Sequence, residues 1–134
     1  EMKAKMADFC GGFATEAEDA AAIRELYDET GYVIDTHTGV ASAVYQQYKK
    51  NTGDETKTVI ASTASPYKFS RSVMEAISDE KLPEDEFAVI DELCRVSGVE
   101  IPKAVEEIRN AQIRHKLECD VQDMKKTVAK ILGI

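Results

Sequence analysis

Tryptophan is absent from this 134-residue chain, proline occurs three times, glycine seven times and cysteine three times. That composition excludes collagen-like, disulfide-scaffold and low-complexity disordered chains. Cys10, Cys94 and Cys119 are odd in number, far apart and in no CxxC spacing. They form neither a disulfide framework nor a zinc-finger pattern, and they fit a reducing, cytoplasmic compartment. No apolar run approaches the roughly 20 residues needed to cross a bilayer, and no basic stretch followed by an apolar core marks a secretory signal. Basic residues are in deficit, with 17 Lys and Arg against 25 Asp and Glu, for a formal charge of -8. Such a surface repels nucleic-acid phosphates and anionic lipid, so neither nucleic acid nor membrane is an expected partner.

What is present is enough for one compact unit, since 43% of the residues are hydrophobic. The first residue, Glu1, is not a translation start, so the chain reads as an excised or processed piece, or as one whose native start is Met2. Apolar periodicity predicts a helix from Thr15 to about Thr30, with Thr15 and Glu18 as a capping box and Gly31 as the stop. A second helix is predicted over about 37–50, capped by Asp35 or Thr36. The β-branched run Lys57-Thr58-Val59-Ile60-Ala61-Ser62 reads as a buried strand. It leads into Ser65-Pro66, a helix start, and a helix over about 66–78. Two shorter helices follow, over about 86–97 and 102–110. Ile113 to Cys119 reads as a second strand, and Asp120 caps a last helix over 121–131 that Gly133 ends. The fold class expected is therefore α/β, helix-rich with a small two- or three-stranded sheet.

The chemistry-bearing candidates are few. Ser62, Thr63 and Ser65 cluster where the expected strand turns into a helix, and in open α/β folds ligands sit beyond the C-terminal ends of strands. An isolated junction of this kind most often serves only as a helix cap. His37 starts a helix, where the positive dipole end favours neutral imidazole, a base or a donor; the simpler reading is a hydrogen-bonded turn histidine. His115 lies between Arg114 and Lys116 and has no special setting. The acidic pairs, Glu106-Glu107 and Glu84-Asp85-Glu86, read as solvated faces. No Ser-His-Asp order, GxGxxG, GxxxxGK[ST] or HExxH is present, so no complete catalytic apparatus and no metal site is expected.

Three ordered stretches nevertheless carry a resemblance: Phe9-Cys10-Gly11-Gly12-Phe13-Ala14-Thr15, then Gly31-Tyr32-Val33-Ile34-Asp35-Thr36-His37-Thr38-Gly39-Val40-Ala41, then Ser62-Thr63-Ala64-Ser65-Pro66-Tyr67-Lys68-Phe69. With Ile101-Pro102-Lys103-Ala104 and the closing segment, they resemble the C-terminal part of the threonine synthase family. The resemblance implies a single C-terminal segment, residues 1–134, of a pyridoxal-phosphate enzyme of the type II fold. That family converts O-phospho-L-homoserine and water to L-threonine and phosphate. It implies a Schiff-base lysine and a glycine-rich phosphate loop outside this segment, so the chain alone is expected to be inactive and its partner is the remainder of the enzyme. It also implies that Thr63 matches the threonine contacting the cofactor's pyridine nitrogen.

Two departures from the family pattern stand out. Ser65 replaces a histidine, and Thr36 and Gly39 replace a proline and an alanine around Asp35, His37 and Thr38. The competing reading is a non-catalytic acidic α/β protein-interaction module, stable and monomeric by itself. A severed segment should instead expose an apolar face and self-associate or bind its missing part. An anion site at the helix starting with Pro66 is a weaker third reading, because proline removes one donor.

Overall fold

The computed structural model of the chain describes residues 5–134. Glu1 and Met2, on which the reading of the chain's start depends, lie outside the described residues. The local signals that end helices act where expected. Helix α1, Glu16–Thr30, opens with a reciprocal cap: the Glu18 N–H donates to Thr15 Oγ1 at 3.3 Å, and the Thr15 N–H donates to Glu18 Oε2 at 2.7 Å. It closes on Gly31, whose φ of 71° is the left-handed conformation that a side chain resists.

Helix α2, Thr36–Thr52, is capped by Asp35 rather than Thr36. Pro66–Phe69 forms a single 3₁₀ turn whose cap is Ser65, and α3 follows as Ser70–Ile77. The expected helix over 66–78 is thus two pieces, because the first turn tightens at Pro66. Helices α4, Glu86–Ser97, and α5, Lys103–Arg109, come next. A 3₁₀ turn, Val121–Asp123, precedes α6, Met124–Leu132, and Asp120 makes no side-chain cap there.

Helix α1 packs on α2 and α3, and α3 packs on α4. Their shared core holds Ile23 from α1, Val73, Met74 and Ile77 from α3, and Val89 and Leu93 from α4. Val33 and Ile34, from the link between α1 and α2, complete it together with Tyr67, whose hydroxyl donates to the Val99 carbonyl. Leu93 is fully buried, so Leu93→Ala is expected to cost about 2–5 kcal/mol of folding stability, measured as a lower denaturation midpoint. Val128→Ala, at an exposed position of α6, should shift it by less than about 0.5 kcal/mol.

The expected sheet does not form, and the α/β reading is corrected to all-helical: among the described residues there is no strand. Residues 57–62 run as open chain with Val59 90% exposed, and 113–119 run likewise with Ile113 and Leu117 exposed. The reason is that a helix satisfies its backbone within itself, whereas a strand needs a neighbour's N–H and C=O groups. Neither run pairs with the other, so β-branched composition alone leaves both extended and unladdered. The same finding overturns the α/β character assigned to the alternative interaction module.

Candidate functional site

The N-terminus of α2 and the loop before Pro66 meet through polar side chains. Asp35 is entirely buried at the head of α2. Its Oδ1 accepts from the His37 main-chain N–H at 2.9 Å and lies 3.1 Å from His37 Nδ1. Its Oδ2 accepts from the Thr38 hydroxyl, and Thr38 Oγ1 is 2.9 Å from Ser62 Oγ. Burial pushes the Asp35 carboxyl up, but the hydrogen bonds from Thr38 and His37 outweigh it and hold the group below its ordinary value.

A carboxyl with a depressed folded-state pKa stabilises the fold above the unfolded value and loses that contribution as pH falls through the folded one. Asp35→Asn is therefore expected to cost about 1–3 kcal/mol at pH 7, with the gap to the wild type closing below about pH 4. Denaturation at pH 7 and pH 3 measures both terms of that statement. An unchanged gap at low pH would show that shape, not charge, is what Asp35 contributes.

His37 is 56% exposed at its side chain, with its ring centroid 5.5 Å from that of Phe69 in a tilted arrangement. Facing an ionised carboxylate, which only accepts, Nδ1 is the ring nitrogen that donates. The turn-ordering role expected for His37 is thus accompanied by a carboxylate pair and a ring contact. Thr63 is exposed, and among the described residues no side chain or backbone group engages its hydroxyl. Ser65 caps the 3₁₀ turn, its Oγ accepting from the Tyr67 N–H at 3.3 Å. Ser65 thus has a capping function here. His115 stands exposed on the open 113–119 run, and Glu106 and Glu86 face solvent in ion pairs with Arg109 and Arg71.

The structure joins Asp35, His37, Thr38 and Ser62, and it leaves Thr63 as the free hydroxyl beside them. The sequence reads the turn from Asp35 to Thr38 as structural support behind the cofactor pocket, but gives the Thr38 hydroxyl no partner; the structure supplies two, Asp35 and Ser62. It also missed Asp19. Asp19 Oδ1 is buried without a hydrogen-bond partner, and burial first, then the Asp35 charge, raises its pKa, with His37 pulling the other way. A Cβ on Gly39 would stand 2.0 Å from that oxygen and 2.8 Å from Ile23 Cγ1. Gly39, where the family pattern has alanine, is therefore the residue that admits Asp19 and Ile23 against α2.

A cleft of about 440 Å³ opens beside Asp19, lined by Glu16, Ile23, Thr36, Ser72 and Glu75. Its carboxylates repel a phosphate group, and Thr63 is not among its walls. Among the described residues no group of three or more His, Cys, Asp or Glu is placed to hold a metal ion.

The family model described as "Threonine synthase, C-terminal" matches residues 38–128, which is most of the chain and includes Ser62, Thr63 and Ser65. The chain belongs to the threonine synthase C-terminal family. Threonine synthase-like 1 of Homo sapiens is 34% identical over 77 residues, covering 58% of this chain and 10% of that protein. The Mus musculus protein of the same name is 33% identical over 75 residues. Threonine synthase of Corynebacterium glutamicum is 31% identical over 84 residues, covering 61% of this chain and 17% of that enzyme. The chain thus spans only a minor part of the length of these threonine synthase relatives. No solved structure matches it. Asp35 and His37 lie just before the residues the family model matches, and Thr38 is the first residue within them.

Proposed function

We propose that residues 1–134 are one C-terminal segment of a pyridoxal-phosphate-dependent threonine synthase, a lyase of threonine biosynthesis that converts O-phospho-L-homoserine and water to L-threonine and phosphate. Membership of the family supports the enzyme class. The observation that carries the site assignment is the Thr63 hydroxyl, exposed, without a partner and held on a loop, at the position matching the family's cofactor-contacting threonine. A free neutral hydroxyl fits a pyridine nitrogen chemically, as a hydrogen-bond donor to its lone pair.

When bound, pyridoxal phosphate supplies the electron sink for charge developing on the substrate carbon, and the protein tunes that sink through its contacts. Thr63 donates a hydrogen bond to the ring nitrogen without giving up its proton. It cannot stabilise a protonated ring as a carboxylate would, so it holds the ring in place while leaving the sink moderate. Ser65 keeps the following turn in position through its cap on Tyr67.

The remainder of the threonine synthase chain is the partner, and it supplies the Schiff-base lysine and the phosphate-binding loop. Support comes from the apolar residues left in solvent, which include Met124, Val128, Ile131 and Leu132 on one side of α6. No described helix is long and apolar enough to cross a membrane. The three free cysteines fit a cytoplasmic setting. The test is phosphate release from O-phospho-L-homoserine together with the cofactor's visible absorbance. The complete enzyme is expected to show both and this chain alone neither. A complete protein that neither binds pyridoxal phosphate nor releases phosphate overturns the reading.

A further inference from the structure

The loop that carries Thr63 has little of its own to hold it. Among the described residues, no backbone-to-backbone hydrogen bond outside the helices involves residues 54–64. Local side-chain bonds order only its start, where Asp54 Oδ1 accepts from the Thr56 N–H and the Thr58 hydroxyl donates to the Thr56 carbonyl. Two anchors then bracket Thr63. Ahead of it, Ser62 Oγ lies 2.9 Å from Thr38 Oγ1. Behind it, Ser65 accepts from the Tyr67 N–H through its hydroxyl and from the Lys68 N–H through its carbonyl.

The first anchor has a fixed polarity. An ionised Asp35 accepts only, so the single proton of the Thr38 hydroxyl goes to Asp35 Oδ2, and the Thr38 oxygen is left to accept. Ser62 must therefore be the donor in its bond to Thr38. Asp35 also fixes the far side of the same loop, because the His37 ring it holds through Nδ1 lies against Phe69 at the end of the 3₁₀ turn. One fully buried carboxylate thus fastens the segment 62–69 to the head of α2 from both ends.

We propose that Asp35, Thr38 and Ser62 are positioning residues for Thr63: their hydrogen-bond relay sets where the Thr63 hydroxyl stands and so sets its contact with the cofactor ring. The proposal rests on the cofactor reading of Thr63 and goes beyond it by naming the residues that act through it. A relay of this kind trades loop freedom for a preorganised donor, which is what a tuned cofactor contact requires.

The test uses Thr38→Val, which keeps the shape and removes the relay, Thr38→Ser, which restores the hydroxyl, and Ser62→Ala. Ser62 is exposed, so its truncation leaves the core and the helix cap intact and keeps the test decisive if Thr38→Val does not fold. Two readouts are needed. Amide order parameters of Thr63 and Ala64 report the tether, and pyridoxal-phosphate affinity and absorbance of the complete enzyme report its effect on the cofactor. Thr38→Val and Ser62→Ala are expected to take the order parameters from about 0.85 to below about 0.6. They should also weaken cofactor binding about tenfold, a loss of roughly one hydrogen bond, and shift the absorbance in the direction that Thr63→Val does. Thr38→Ser should leave all three near the wild type.

Order parameters that stay at the wild-type level in Ser62→Ala overturn the tether. A loosened loop with unchanged cofactor affinity and absorbance, while Thr63→Val changes both, overturns the positioning role and leaves the cofactor reading standing. A loosened loop with Thr63→Val itself silent toward the cofactor sinks the cofactor reading, and the proposal with it.

Discussion

Thr63→Val in the complete enzyme is expected to lower kcat/KM for phosphate release by about 5- to 30-fold, the loss of about 1–2 kcal/mol of hydrogen bonding at the reacting centre. Valine has nearly the shape of threonine, so the substitution removes a donor and little else. The side chain is exposed and unpartnered in this chain, and folding stability should therefore stay within about 0.5 kcal/mol of the wild type. On the proposed reading, in which the Schiff-base lysine belongs to the rest of the enzyme, the Schiff base should still form, but the cofactor's absorbance should shift as the ring nitrogen loses its donor. Steady-state phosphate release and a spectrum of the resting enzyme check both halves. Thr63→Ser, which keeps the hydroxyl, should recover most of the rate. A Thr63→Val enzyme with wild-type kcat/KM and spectrum would remove Thr63 from the site.

The isolated chain should self-associate at micromolar concentration, and charge on α6 should abolish it. Val128 and Ile131 are 51% and 64% exposed, and Met124 and Leu132 extend the same stripe at helical spacing. Residues 111–120 add exposed Ile113 and Leu117, so apolar surface runs along the whole C-terminal part. Covering one such side chain is worth about 1.5–3 kcal/mol, enough for several together to drive association. Replacing Val128 and Ile131 together with glutamate puts two charges where the contact forms and is expected to weaken it at least 100-fold, at little cost to a core that α6 does not share. Sedimentation velocity over a concentration series reads this directly. A monomer at all concentrations for the unsubstituted chain would favour the independent interaction module over a segment awaiting its enzyme.

The helices were legible because their signals are local. Thr15 with Glu18, Asp35, Ser65 with Pro66 and the terminal glycines each act within a few residues, and each reappears as a cap or stop, whereas Asp85, read as part of a solvated acidic face, turns out to cap α4. The strands were not legible in the same sense. Lys57–Ser62 has the composition of a buried strand, but pairing depends on a neighbour that no residue pattern within this chain provides. The site divides in the same way. Thr63 was named through family resemblance, while the supporting argument from a strand end falls with the strand. The relay from Asp35 through Thr38 to Ser62 spans 27 positions of sequence, and only folding brings its ends together. Asp19 had no sequence signal at all, since its burial depends on the missing side chain at Gly39.

The central claim is that this chain completes a pyridoxal-phosphate site to which it contributes Thr63. The most direct measurement is a titration of the rest of the enzyme, produced without this segment, with the 134-residue chain, following cofactor absorbance and phosphate release together. The account predicts a saturable spectral change at one chain per site and the appearance of phosphate release, with a Thr63→Val chain docking equally well but giving an altered spectrum and slower release. Docking with no change in the cofactor's spectrum and no release, or no docking at all, would contradict it.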